Sequence, residues 1–242
     1  MRKLSITWMS VLVVGAAFAA PSAAQAPDQT TLTIDAKVIP NKAGTPKDPQ
    51  AIRIESSARF FSPPGVEPPV VTHGFALFPR NGSWNGGKFP KCTERILERE
   101  GVDACPKGSR IGHADATAYA DNVITRPDIE IFNGGQKLAL AYVTLYNPAF
   151  VQEAIPVRIQ EIPRGKWKYK ASLRVPENLQ VVAGVPIAAR SIKGWVGSTS
   201  RDLITTTSCP KSRRWPYELT AYFTSGAPYT HRDTVACRPS GS

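Results

Sequence analysis

Histidine is scarce in this chain, with three among 242 residues, and methionine scarcer, with two. His73, His113 and His231 are far apart, so the paired imidazoles of a helical His-Glu-x-x-His zinc motif are excluded. The Gly-x-Ser-x-Gly elbow, the phosphate-binding loop and the dinucleotide fingerprint are also missing, which removes the enzyme classes that short motifs announce. Cysteine occurs four times with no closely spaced pair, which excludes a zinc knuckle. Acidic residues number 19 against 30 Lys and Arg, an imbalance that speaks of solubility and acidic partners rather than of fold. Only one segment has an amphipathic helical pattern, and beyond the N-terminus no run is apolar enough to span a bilayer.

That N-terminus reads as a secretory signal peptide over residues 1–26: Arg2 and Lys3, an apolar run from Ile6 to Ala20, then small residues. Small-x-small cleavage fits after Ala24 or after Ala26; the bond from Ala26 to Pro27 is a poor substrate, which favours Ala24. Export without a membrane anchor is expected, and with Arg2 and Lys3 removed the remaining chain keeps 28 basic residues against 19 acidic ones, net +9.

Strand periodicity dominates the rest. Leu32, Ile34, Ala36 and Val38 share one face of "TLTIDAKVIP", with Thr33, Asp35 and Lys37 opposite. "KWKYKASLRVP" puts Trp167, Tyr169, Ala171, Leu173 and Val175 together, and Lys166, Lys168, Lys170 and Arg174 opposite. "KLALAYVTLYN" is apolar on both faces and predicts a central strand covered on both sides. A hairpin is expected at Ser225-Gly226-Ala227-Pro228. Ten to twelve such segments, punctuated by 22 prolines and 18 glycines, predict a single all-β domain over 27–242, an antiparallel β-sandwich with a jelly roll as one variant. A weaker boundary falls at Asn147-Pro148.

The helical segment lies inside "FPKCTERILEREGVDACPKGSRIG". Thr93 is the expected N-cap, Glu94 a first-turn acid, Ile96 and Leu97 the apolar contact, and Gly101 the C-terminal stop. Two turns of helix are marginal alone. A Cys92–Cys105 disulfide across both ends would hold it down, in keeping with an exported chain. Four cysteines allow three connectivities, and nearness in sequence is the ground for expecting Cys209 with Cys237 as the other pair. If the last three strands form a meander, the outer two are too far apart to bridge, so Cys209 must sit in the loop "CPKSRRWP".

"FPKC", the short helix, "DACPKGSRIGHADATA", "IFNGG", "GKWKYKASLRVPENLQ", and a Cys, Trp and closing Cys around "YFTSG" together resemble a group of predicted secreted proteins of high-GC Gram-positive bacteria. The resemblance covers most of the chain after the signal, implies a β-rich fold and an extracytoplasmic address, and supplies no catalytic residues. His113 and Asp115 depart from it, standing where the group has small or hydroxyl residues.

Those two are the best metal candidates. In "IGHADATAYAD", His113, Asp115, Thr117 and Tyr119 share one face and Gly112, Ala114, Ala116 and Ala118 the other. A third ligand would have to arrive from elsewhere, with His73 or His231 as the histidines at hand; two ligands define no site, so no metal and no cofactor are assigned. Carboxylate pairs for glycoside hydrolysis could be Asp128 with Glu130 or Glu153 with Glu161. Such acids more often sit on solvated strand faces, and the reading leans away from an enzyme.

Binding is the broader expectation. Lys166, Lys168 and Lys170 line one face of a strand, Lys211, Arg213 and Arg214 stand beside Trp215, and basic residues among aromatics can hold an acidic polymer or a lipid surface. Alternation alone also turns lysines outward, where they protect sheet edges. Trp84, in the glycine-rich "NGSWNGG", could stack on a sugar or merely cap the end of the fold. The expected function is a non-catalytic binding or structural module at the cell envelope. A secreted hydrolase of envelope carbohydrate or lipid is the runner-up, and an anionic-polymer or membrane-surface binder a further alternative. Export makes wall polymer a better partner than nucleic acid.

Overall fold

A computed structural model describes residues 30–240 apart from 65, 67 and 69. The signal peptide lies outside the described residues. The strands are β1 (Thr31–Ile39), β2 (Gln50–Ala51), β3 (Arg53–Phe61), β4 (Val71–Pro79), β5 (Gly82–Trp84), β6 (Arg110–Ala120), β7 (Val123–Thr125) and β8 (Asp128–Gly135). There follow β9 (Leu138–Leu145), β10 (Val151–Glu161), β11 (Trp167–Arg174), β12 (Val181–Val182), β13 (Val185–Gly197), β14 (Ile204–Thr206), β15 (Arg214–Phe223) and β16 (Tyr229–Ala236). The helices are α1 (Glu94–Glu100) and the single turn α2 (Glu177–Gln180).

Eleven strands form one antiparallel path, β1-β3-β13-β6-β8-β9-β10-β11-β4-β15-β16, with β7 and β12 attached to β6 and β13. The path curls until β1 lies beside β16, and the two meet through side chains without a hydrogen-bonded ladder. The result is a nearly closed, barrel-like all-β arrangement in which every strand of the path alternates an inward and an outward face. The sheet runs unbroken across Asn147-Pro148, since β9 and β10 pair from Val151↔Leu145 to Arg158↔Leu138.

The inward faces are those the alternation marks. Leu32 and Ile34 pack with Ala58, Phe60, Leu219, Ala221 and Phe223 near one end, and Val143 and Ile155 pack with Ile129, Leu173, Val175 and Leu179 of α2. On β9, Ala139, Ala141 and Val143 face inward while Leu140 and Tyr142 face out, and both faces are covered as predicted. The outer cover is the disulfide-flanked segment: Cys92, Leu97 and their neighbours pack on Phe132, Leu140, Tyr142 and Ala154. Thr93 caps α1 by accepting from the Ile96 amide at 3.3 Å, and Gly101 ends it at φ 81°, a conformation only glycine adopts without strain.

Both disulfides pair neighbours in sequence, Cys92 with Cys105 at a Cα separation of 5.2 Å and Cys209 with Cys237 at 5.9 Å. Cys209 lies in the loop before β15, where the meander argument requires it. The meander itself is replaced by another order, because β15 pairs with β4 on one side and β16 on the other, and β14 joins β2 and β5 in a separate three-stranded sheet. No helix among the described residues is long and apolar enough to cross a membrane.

Candidate functional site: a basic end of the barrel

Antiparallel neighbours send successive connections to opposite ends, and the charge divides with them. One end collects segments 40–52, 80–91, 106–109, 136–137, 162–166, 198–213 and 237–240, which hold 13 Lys and Arg against two acids, Asp48 and Asp202. Residues 92–105, with Arg95 and Arg99 against Glu94, Glu98, Glu100 and Asp103, fold over the outer face of the sheet instead. At the other end segments 121–127, 146–150, 175–184 and 224–228 hold Arg126 against Asp121 and Glu177. Most of the exposed large apolar side chains gather at this second end, among them Phe61, Val123, Ile124, Tyr146, Phe150 and Val181, while Trp195 is exposed near the basic end. The barrel is basic at one end and apolar at the other.

Of the six lysines and arginines read from the sequence, Lys166, Lys211 and Arg213 stand in the loops of the basic end, and Lys168, Lys170 and Arg214 on the strands that lead to it. Register sets Lys170 level with Leu77 of β4 and hence with Glu218 of β15. Four residues toward the basic end from each stand Lys166 and Arg214, two strands apart, roughly 10 Å in the sheet direction. Lys211 and Arg213 are exposed beside them and rim a groove of about 420 Å³ next to the Cys209–Cys237 disulfide. The six cations are not equally free. Lys168 donates to Ser83 Oγ at 3.2 Å, Lys170 lies 4.3 Å over the Phe75 ring, and Arg214 donates to the Thr234 carbonyl at 3.1 Å. Lys166 lies 4.6 Å over the Trp167 ring but is exposed, and with Lys211 and Arg213 it carries the most accessible charge.

A second cleft on the same end, about 250 Å³, is lined by Arg53, Arg110, Arg201, Trp195, Ser198 and Thr199 among others. Arg53 is paired with Glu55 at 2.6 Å while its Nε has no partner, and its guanidinium stands 5.9 Å from the Trp195 ring. Arg110 pairs with Glu130 at 3.3 Å. Arg201 donates to the Gly108 carbonyl at 2.8 Å and covers Phe89 at 4.8 Å. Three guanidiniums around one opening, with hydroxyls at its edge, suit phosphate or carboxylate oxygens. These arginines escape a sequence reading because they sit singly on β3, on β6 and in the β13–β14 loop.

Trp84 corrects the sugar-platform expectation. It is 8% exposed, its Nε1 donates to the Gly135 carbonyl at 3.1 Å, and it packs with Ile111, Ala139 and Leu203 inside the basic end. Only three residues of β5 enter the small sheet, and that sheet lays Trp84 and Leu203 across the mouth of the barrel as a plug. The capping alternative describes its place.

The histidines also fall otherwise than expected. His73 stacks on Tyr222 at 4.0 Å and His231 lies beside Tyr217, both on the β4-β15-β16 side of the sheet. Neither reaches His113. The side chain that does is Asp128, paired across from Asp115, with its Oδ1 3.5 Å from His113 Nε2; Asp115 Oδ1 is at 3.4 Å. Of the carboxylate pairs, Glu153 and Glu161 lie eight residues apart along β10, roughly 26 Å and too far to flank one glycosidic bond, and Glu130 of the Asp128–Glu130 pair is bound by Arg110.

Few ionisable groups are perturbed. Burial raises the Tyr217 hydroxyl to about 12, with the charges of Asp233 and Asp35 adding to it. Burial, then Glu98 and Glu130, raises Tyr142, and Glu98 itself is raised by burial and by Glu94 and Glu153. No protein-family model and no curated protein sequence matches this chain.

Proposed function

We propose that the protein is an exported, non-catalytic binding module of the cell envelope that holds an anionic polymer through the basic end of its barrel. The observation that carries this reading is the segregation of charge, 13 cations against two acids on one set of loops. Alternation along strands turns lysines outward anywhere on a sheet, but it does not gather them at one end. Two disulfides fit an oxidising compartment, and the wall of a Gram-positive cell is rich in polyanions. Binding of this kind depends on many weak, screened contacts, so it weakens steeply with salt.

The test is co-sedimentation of the purified protein with isolated Gram-positive cell walls at low and high salt, beside walls stripped of their anionic polymer. Retention at low salt, release at high salt and loss on stripped walls support the proposal. Binding that survives both salt and stripping overturns the charge-driven reading, and absence of binding at low salt overturns the module itself.

A further inference from the structure

We infer that His113, Asp115 and Asp128 form a binding site for a divalent transition metal ion, with zinc the best match. His113 and Asp115 project from the outer face of β6 two residues apart, and Asp128 of β8 stands directly opposite Asp115 in the ladder. The three donor atoms lie within 4.8 Å of one another.

Two observations point to a cation. Carboxylates placed directly across an antiparallel pair repel each other, and β6 and β8 tolerate this at Asp115 and Asp128 with the His113 ring facing both. The spacing is also compatible with a shared ion. A metal bound at about 2.1 Å by nitrogen and oxygen separates neighbouring ligands by roughly 3.4 Å when tetrahedral and roughly 3.0 Å when octahedral. His113 Nε2 stands 3.4 Å and 3.5 Å from the two aspartate oxygens, near the tetrahedral value, and the two carboxylates lie within 4.8 Å of each other. Imidazole with two carboxylates suits zinc better than magnesium or calcium, which prefer oxygen alone.

The surroundings set the strength. Glu130 faces His113 across β8, and Lys193 of β13 faces Asp115 on the other side. Arg110 Nη2 is 3.5 Å from His113 Nδ1 and Arg110 Nε is 3.3 Å from Glu130. With the imidazole neutral, three acids oppose two bases, and the local balance favours a divalent cation. Arg110 opposes it, since a metal on Nε2 leaves the proton on Nδ1, where Arg110 cannot donate. Removing Arg110 therefore strengthens binding. Three protein ligands leave a fourth position open to water or an anion.

The site is independent of the polymer reading and is tested without polymer, by titrating Co²⁺ and Zn²⁺ alone into the purified protein. The expected result is one ion per chain, a visible cobalt spectrum of four-coordinate intensity, and displacement by zinc. His113→Ala and Asp128→Asn each weaken binding at least tenfold, Arg110→Ala tightens it severalfold, and His73→Ala with His231→Ala leaves it unchanged. The three ligand side chains lie on the outer face, and an unaltered thermal melt shows that each variant folds. Lack of saturable binding up to millimolar metal overturns the inference, as does binding that His113→Ala and Asp128→Asn leave within twofold, or that the His73 and His231 variants abolish.

Discussion

Asn133 donates its side-chain amide to the carbonyl of Gly86 at 2.9 Å, in a place without solvent access. The same Nδ2 reaches the carbonyls of Phe89 at 3.2 Å and Pro90 at 2.9 Å, and Oδ1 accepts from the Gly135 amide at 3.0 Å. One side chain thus fastens β8 to the loop that leads into the first disulfide. Glycine is required opposite it: a Cβ on Gly86 would stand 2.7 Å from Asn133 Oδ1 and 2.3 Å from the Gly135 carbonyl.

Replacing Asn133 leaves buried carbonyls without a donor. Asn133→Leu is expected to cost about 3 kcal/mol, the upper part of the range for orphaned polar groups, and Asn133→Asp at least as much, because a carboxylate would face carbonyl oxygens. Urea unfolding at neutral pH measures both.

The two disulfides close loops of different length, with sequence separations of 13 and 28. Loop entropy assigns about 3 kcal/mol to Cys92–Cys105 and about 0.7 kcal/mol more to Cys209–Cys237. Paired Cys→Ser variants, unfolded in urea, should follow that order. The first should also release α1 from Leu140 and Tyr142, seen as faster amide exchange at residues 94–100.

As the plug of the barrel mouth, Trp84 should behave as a core residue. Trp84→Ala is expected to destabilise by about 3–5 kcal/mol. Trp84→Phe keeps most of the volume but strands the Gly135 carbonyl, for about 1 kcal/mol. Thermal melts of the two variants separate packing from hydrogen bonding.

Tyr217 gives the fold an alkaline limit. Its hydroxyl donates to the Ile34 carbonyl at 3.2 Å, and its folded pKa of about 12 lies above the ordinary value of 10.0. The unfolded chain therefore loses this proton first as pH rises. The stabilisation is fully present below pH 10 and is lost between about 10 and 12. Tyr217→Phe should flatten the fall in stability over that window, read from urea midpoints at successive pH values.

Charge reversal tests the basic end directly. Lys166→Glu, Lys211→Glu and Arg213→Glu together should lower the salt needed to release the protein from cell walls, with unchanged melting because these side chains are exposed. Reversal of Arg126 at the opposite end should leave release where it was.

What the sequence discloses and what it hides divide along a physical line. Period-two alternation, the Thr93 cap, the Gly101 stop and the cysteine pairs depend on residues close in the chain, and all four recur in the structure. Trp84 misleads because a glycine-rich loop suggests exposure, whereas burial is decided by Leu203 and Ala139, more than fifty residues away. Asn133 within "IFNGG" reads as one more turn residue, and its partners on the 86–90 loop come only with the fold. Asp128 likewise stands thirteen residues from Asp115 and meets it only through strand register. The charge segregation is invisible in composition because it depends on which end each connection occupies.

A barrel whose loops are basic at one pole and nearly uncharged at the other carries an electric moment as well as a net charge. In the field of a polyanionic surface it experiences a torque before contact, turns its basic pole forward and arrives in one orientation. The opposite pole, with Tyr146 and Phe150 in mutual ring contact at 5.7 Å, is then presented outward on every bound molecule. Adsorption through the basic loops would coat the wall with a uniform layer whose outer surface is aromatic and nearly uncharged.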